Sequence, residues 1–179
     1  MPRHAVMGWT VSVGAARTSR RSAPEPLRWA TIGIIALALA GCQRSAPPDH
    51  PPRTAEELVA EANRHIRTLS PAAAIALLED PGVIFVDLRE QSEIVRDGGI
   101  PGSVHVPRGL LEFHISSSQP EYREVFHSGR PLVFYCTAGS RSALAARTAM
   151  TMGVADVAHI GGGLRAWAEA GGPLTRMSR

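Results

Sequence analysis

Cysteine is scarce: only Cys42 and Cys136 occur in 179 residues. Two cysteines give neither a disulfide framework nor a cysteine-rich metal site, so each needs its own explanation. Lysine is absent; all nineteen basic residues are arginine, which reflects genome composition rather than function. No run has the roughly 20 apolar residues of a comfortable membrane span. The candidate, Trp29 to Cys42, is interrupted by Gly33 and followed by Gln43 and Arg44. The seven histidines lack ligand spacing of the H-E-x-x-H kind, so no metal site is expected. The "GGGLRA" run, Gly161 to Ala166, fits a dinucleotide-binding pattern in form only. That reading requires a further strand ending in an acidic residue about 20 positions on, and only Trp167 to Arg179 follow. Neither Ser140 nor Ser142 sits in a G-x-S-x-G elbow, and no internal repeat occurs.

The formal charge of +3 and pI near 9.5 suggest a nucleic-acid partner until the charge is located. Residues 1–41 carry Arg3, Arg17, Arg20, Arg21 and Arg28 against Glu25, a net of +4, leaving about −1 for the rest. No nucleic-acid partner is therefore expected. The order of this segment, a basic stretch to Arg28 and then apolar residues ending in small ones, is that of a secretory signal. Leu39-Ala40-Gly41-Cys42 resembles the bacterial lipobox. That resemblance implies cleavage before Cys42, lipidation of Cys42 and a membrane-anchored protein in the cell envelope, facing the periplasm or exterior. Each buried methylene adds about 0.8 kcal/mol, and stable anchoring takes two lipid signals, which a doubly or triply acylated cysteine supplies. An ordinary signal peptide with an incidental cysteine and an uncleaved anchor are the alternatives.

Residues 42–53 follow as a lipidated cysteine and a proline-rich tether, "QRSAPPDHPPR" lacking any periodicity. A polar helix is expected over 54–66, opened by Thr54 with Glu57 three residues on, as in a capping box. Its apolar stripe reads Leu58, Val59, Ala62, Ile66 and Leu69. A second helix is expected from Ser70 and Pro71 up to Pro81-Gly82. Short apolar strands then appear at Val83 to Asp87, Val104 to Val106, Leu132 to Tyr135 and Val157 to Ile160. Helical segments lie around Glu90 to Arg96, Gly109 to His114, Glu121 to His127, Arg141 to Met152 and Leu164 to Ala170. This alternation predicts an α/β domain over 67–175, a mainly parallel β-sheet flanked by helices on both faces. Such sheets place their sites beyond the carboxyl ends of strands, where Asp87 and Cys136 fall.

Cys136 is followed by Thr137-Ala138-Gly139-Ser140-Arg141 and then a helix-forming stretch. A glycine-containing turn running into a helix start collects inward N–H groups and partial positive charge, an anion cradle with sulfur at its floor. Helix N-termini and nearby arginines favour thiolate over thiol. On the strand alone, a buried cysteine reads as core packing; the glycine turn and Arg141 weigh against that.

"LVFYCTAGSRS" resembles the active loop of the rhodanese family of sulfurtransferases. "VDLRE" (Val86 to Glu90), "GGIPGSVHVP" (Gly98 to Pro107) and "HIGGGLRAWAEAGGPL" (His159 to Leu174) resemble the family's other signatures in the same order. The resemblance implies a rhodanese-like fold and a reaction in which Cys136 takes the outer sulfur of thiosulfate, becomes a persulfide, and passes the sulfur to a thiol or cyanide. Thr137, Ala138, Gly139, Ser140 and Arg141 would bind the anionic group, with Arg141 adding charge at the rim; no metal or organic cofactor is implied. Asp87 and Arg89 are assigned a structural role, bracing the loop or capping the next helix. The family usually has histidine before Ile-Pro-Gly, whereas this chain has Gly99, a departure that bears on local bracing. Rhodanese-fold phosphatases and arsenate reductases place five residues between cysteine and arginine; here Thr137 to Ser140 make four. The shorter loop favours sulfur chemistry. The alternative is a non-catalytic module of the same fold that binds an anion or a partner.

Overall fold

The computed structural model describes residues 51–175. The expected signal segment 1–41, the lipid-bearing Cys42 and the tether up to residue 50 lie outside the described residues. Helix α1, Ala55–Asn63, opens with the expected reciprocal cap. Thr54 Oγ1 accepts the Glu57 N–H at 3.2 Å, and Glu57 Oε2 accepts the Thr54 N–H at 2.8 Å. The helix stops at Arg64, so Ile66 and Leu69 do not extend its apolar stripe. Arg67–Leu69 instead forms strand β1. A three-residue strand between two helix signals is too short to show a period of two, and tertiary pairing decides its state.

Ser70 caps α2, Pro71–Ala76, with Pro71 at the first helical position. Then come β2 (Ile84–Asp87), α3 (Gln91–Asp97), β3 (Val104–His105), a 3₁₀ turn over Arg108–Leu110 and α4 (Leu111–Ile115). The helix expected from Glu121 is only a 3₁₀ turn, Glu124–His127. Arg123, extended at φ −124° and ψ 120°, donates its N–H to the His114 carbonyl at 2.9 Å, holding the chain out of helical geometry there. The remaining elements are β4 (Leu132–Tyr135), α5 (Ser140–Thr151), β5 (Val157–Ile160) and α6 (Gly163–Glu169).

The five strands lie in the order β1-β5-β4-β2-β3, every adjacent pair parallel. Successive side chains alternate between faces. Ile84, Val86, Leu132, Phe134 and Val157 pack with Ala145, Ala146 and Ala149 of α5 and Leu111 and Ile115 of α4. Phe85, Val133, Tyr135 and Ile160 pack with Ala74 of α2 and Leu164 and Trp167 of α6. Trp167 is fully buried, edge-on to Phe85 at 5.8 Å, and its indole N–H donates to the Pro173 carbonyl at 3.0 Å. From β2 the chain moves outward to β3, and from β4 it moves the other way to β5. The reversal falls between β2 and β4, where open parallel sheets of this kind leave a crevice at their carboxyl ends. Asp87 ends β2, and Cys136 directly follows β4.

Candidate active site

The loop after β4 closes on the sulfur. Gly139, at φ +95°, turns its N–H toward Cys136 Sγ at 3.2 Å, and α5 begins at the next residue. A side chain there would need a left-handed backbone and would meet the Gly162 nitrogen at 3.0 Å. The first N–H groups of a helix lack intrahelical acceptors and concentrate positive potential, and α5 starts directly after the Gly139 donor. Cys136 itself is 1% exposed; Ala138 and Ser140 are the exposed members of the loop. The base is fixed from α6: Leu164 N–H donates to the Cys136 carbonyl at 2.7 Å, and Arg165 N–H to the Thr137 carbonyl at 3.1 Å. Gly163, at φ +62°, makes this approach feasible, since a Cβ on it would overlap the Cys136 carbonyl and stand 2.8 Å from the Gly139 nitrogen. The "GGG" run thus makes the strand-to-helix turn that carries the cysteine loop.

Arg141 lies in the loop, but its charge is not free at the rim. Its Nη1 and Nη2 donate to the two oxygens of Glu93 on α3, both at 2.7 Å, and Thr137 Oγ1 donates to Glu93 Oε1 at 2.7 Å. Arg141 hydrogen bonding, with Thr137 and the Glu90 N–H assisting, holds the Glu93 carboxyl well below the usual carboxylate range; the same pairing raises Arg141. Glu93 escaped sequence reasoning. Three residues after Glu90 it reads as the capping partner it also is (Glu90 N–H to Glu93 Oε2, 3.0 Å), and nothing local ties it to a residue 48 positions away.

Asp87 and Arg89 form a buried pair at the end of β2. Arg89 Nη2 reaches Asp87 Oδ2 at 2.6 Å and the Gly98 carbonyl at 2.6 Å, while Asp87 Oδ1 accepts the Arg89 N–H at 3.0 Å and Nε–H at 2.9 Å. The cap of α3 is Glu90, so neither residue caps that helix. Their bracing acts on the stretch after α3. Tyr135, beside Cys136, accepts the Ile100 N–H on its hydroxyl at 3.1 Å and pairs with Ser103 Oγ at 2.8 Å. Gly99 exchanges two backbone bonds with Thr175, at 3.0 and 2.8 Å, so this turn is held without a histidine.

His159 and Ser142 are further site residues that sequence reasoning missed. In the sequence each stands inside a family signature, 17 positions apart, with nothing local to show that they meet. Ser142 Oγ lies 3.8 Å from Cys136 Sγ and 3.2 Å from His159 Nδ1; His159 Nε2 lies 2.9 Å from Thr68 Oγ1. Burial pushes His159 down from 6.5 to about 4. Between those values the unfolded chain holds a proton that the native chain does not. Stability is therefore full above about pH 6.5 and falls as the pH drops toward 4. The loss is on the order of 2 to 3 kcal/mol. Urea titrations across this window should show it, and His159→Asn should flatten the slope above pH 4.5, below which Glu93 adds its own loss as the unfolded carboxyl takes up a proton. An unchanged slope in the variant would assign it elsewhere.

Fold and site together define a parallel α/β domain built around a strand-end cysteine loop. Residues 70–170, more than half of the chain, match the rhodanese-like domain family, and the chain belongs to it. It is 34% identical over 98 residues to a sulfurtransferase of Allochromatium vinosum, covering 55% of this chain and 83% of that one. It is 31% identical over 97 residues to thiosulfate sulfurtransferase/rhodanese-like domain-containing protein 3 of Mus musculus, spanning 51% of this chain but only 62% of the mouse protein. Among solved structures, a protein of unknown function from Rhodopseudomonas palustris, described as a "possible tyrosine phosphatase", superposes with a TM-score of 0.68 at 46% identity, covering 73% of this chain and 100% of that one.

Proposed function

We propose that this protein is a thiosulfate/thiol sulfurtransferase that carries sulfane sulfur as a persulfide on Cys136, and that lipid on Cys42 tethers it to a membrane of the cell envelope. The observation that carries the catalytic reading is the Gly139 N–H directed at Sγ from the turn that opens α5. Such donors favour thiolate over thiol, and they favour the anionic persulfide on the same grounds. The thiolate attacks the outer sulfur of thiosulfate; a sulfur–sulfur bond forms, and the bond to the sulfonate sulfur breaks with its electron pair, releasing sulfite. An acceptor thiolate, or cyanide, then takes the outer sulfur, and Cys136 departs as thiolate. Apart from Cys42 the chain has no other cysteine, so the acceptor is external. The sulfurtransferase names of the bacterial and mouse relatives support this reading. The lipobox-like Leu39 to Cys42 supports the tether.

Phosphoryl chemistry is not favoured. A phosphate would need an arginine turned over the sulfur, whereas Arg141 is held in both hands by Glu93.

Intact-mass analysis after thiosulfate treatment should show one added sulfur, located on Cys136 by peptide mapping and absent in Cys136→Ser. Turnover with cyanide should fall to background in the same variant. No added sulfur on the wild type with thiosulfate, or a Cys136-dependent hydrolysis of a small aryl phosphate, would overturn the proposal. Release of Cys42-bearing peptide carrying lipid from membranes would support the tether; a soluble, unmodified Cys42 would remove it.

A further inference from the structure

Four side chains on four different segments form a line that the sulfur-transfer scheme does not use. Cys136 Sγ, at the end of β4, lies 3.8 Å from Ser142 Oγ on α5. Ser142 lies 3.2 Å from Nδ1 of His159 on β5, and Nε2 of that ring lies 2.9 Å from Thr68 Oγ1 on β1. Thr68 and His159 are register partners across the β1/β5 pair, so the backbone ladder itself fixes the last link. The first three residues are buried, at 1%, 0% and 2% exposure, while Thr68 is exposed on the edge strand. The line therefore connects a buried thiol to solvent at the outer edge of the sheet.

The charged groups around Cys136 do not interrupt it. Arg141 of α5 is occupied by Glu93 of α3, Asp87 and Arg89 engage each other and the Gly98 carbonyl, and α6 offers the loop backbone N–H groups. Desolvation displaces the titration of His159 downward to about 4, so the ring is neutral near pH 7. A neutral imidazole with a partner on each nitrogen has two tautomers, and exchanging them passes a proton without charging the ring.

We propose that Ser142, His159 and Thr68 are a proton wire that takes the thiol proton of Cys136 to the edge of the sheet and reverses its hydrogen-bond polarity as the thiolate forms. It rests on the sulfurtransferase reading only in taking Cys136 as the nucleophile. For transfer from the thiol, Sγ–H donates to Ser142 Oγ, the Ser142 hydroxyl turns from the Gly139 carbonyl, 2.9 Å away, to His159 Nδ1 at 3.2 Å, and His159 Nε2–H donates to Thr68 Oγ1. On ionisation the S–H bond breaks and that proton bonds to Ser142 Oγ. Ser142's own proton moves to Nδ1, the Nε2 proton to Thr68, and the Thr68 proton to water. Each relay residue gains one proton and loses one, His159 taking it on Nδ1 and giving it from Nε2, and the products are a thiolate and a hydrated proton. The wire then stands reversed: His159 Nδ1–H donates to Ser142, and the Ser142 hydroxyl donates to the thiolate. His159 and Ser142 are positioning residues in this scheme, acting on the reagent through hydrogen bonds.

The test uses the full chain labelled with nitrogen-15 in histidine. Two-bond proton–nitrogen correlations of the His159 ring are followed while iodoacetamide alkylation of Cys136 is measured at each pH. The expected result is a change from the Nε2–H to the Nδ1–H tautomer that tracks the rise in alkylation. Ser142→Ala, checked for an unchanged melting temperature, should leave one tautomer throughout and slow alkylation at pH 7 about tenfold, as loss of a hydrogen bond to a charged group implies. A single His159 tautomer across the wild-type titration overturns the wire, as does a well-folded Ser142→Ala with wild-type alkylation. If that variant does not fold, the wild-type titration decides alone. Neither readout involves a sulfur donor. A wire without thiosulfate-derived persulfide removes only the sulfurtransferase reading, and a persulfide with a fixed tautomer removes only the wire.

Discussion

Arg89→Met should destabilise the domain by about 3–5 kcal/mol, the usual cost of removing one partner from a buried ion pair. Against a total of about 5–15 kcal/mol for an ordinary domain, that leaves a protein near its unfolding threshold. Arg89 and Asp87 are 0% and 1% exposed, and the guanidinium makes three of the hydrogen bonds to the Asp87 carboxylate as well as one to the Gly98 carbonyl. Methionine keeps the volume of the stem but leaves the buried carboxylate without its guanidinium partner. The cost arises from that stranded charge, more than from the lost bond. Removing both charges, in Asp87→Leu combined with Arg89→Met, should therefore recover much of the loss despite deleting more hydrogen bonds. Urea unfolding of the two single variants and the double variant gives the comparison. A single-variant cost under about 1 kcal/mol, the level of an exposed pair, would show that water reaches the pair.

Gly163→Ala should damage stability and reactivity together. The position combines φ +62° with a Cβ site that overlaps the Cys136 carbonyl and lies 2.8 Å from the Gly139 nitrogen. A non-glycine residue in this conformation costs about 1–3 kcal/mol, and overpacking typically adds about 1–3 kcal/mol. The neighbouring atoms are backbone atoms of the cysteine loop, so relief comes only by moving that loop. The Gly139 N–H then loses its aim at the sulfur, and Cys136 alkylation at pH 7 should fall at least about tenfold. Gly171→Ala is the control: its φ is +81°, yet nothing lies within 4 Å of the Cβ site. It should show the conformational cost alone, with alkylation unchanged. Equal effects at the two positions would mean that the contact with the loop does not matter.

Elements with strong local chemistry were legible in the sequence. Thr54 with Glu57, Ser70 with Pro71, and the apolar runs of β2, β4 and β5 each carry their own signal, and each element starts within a residue of where it is expected, although the helix opened at Ser70 ends at Ala76, short of Pro81. Strand β1 was not legible, because Arg67–Leu69 is a strand only by virtue of its partner β5. The same division runs through the site. Cys136, Gly139 and the start of α5 lie within a few residues of one another, so spacing reveals them. Glu93 and His159 reach the loop from other elements, and their roles depend on which side of β2 and β5 the chain has placed them. Arg141 shows the hazard in the other direction: spacing places it in the loop, but its partner, and hence its availability, is fixed by α3.

The sheet ends on one side in β1, three residues long, and on the other in β3, two residues long. A long, flat edge offers unpaired N–H and C=O groups to any passing strand, and a row of only two or three offers almost no template. On the β1 side, Arg67 also carries an exposed ion pair to Asp156 at 3.0 Å, setting charge on that edge. Copies of this domain crowded together therefore have little means of joining sheet to sheet, and self-association by strand addition is discouraged by the architecture itself.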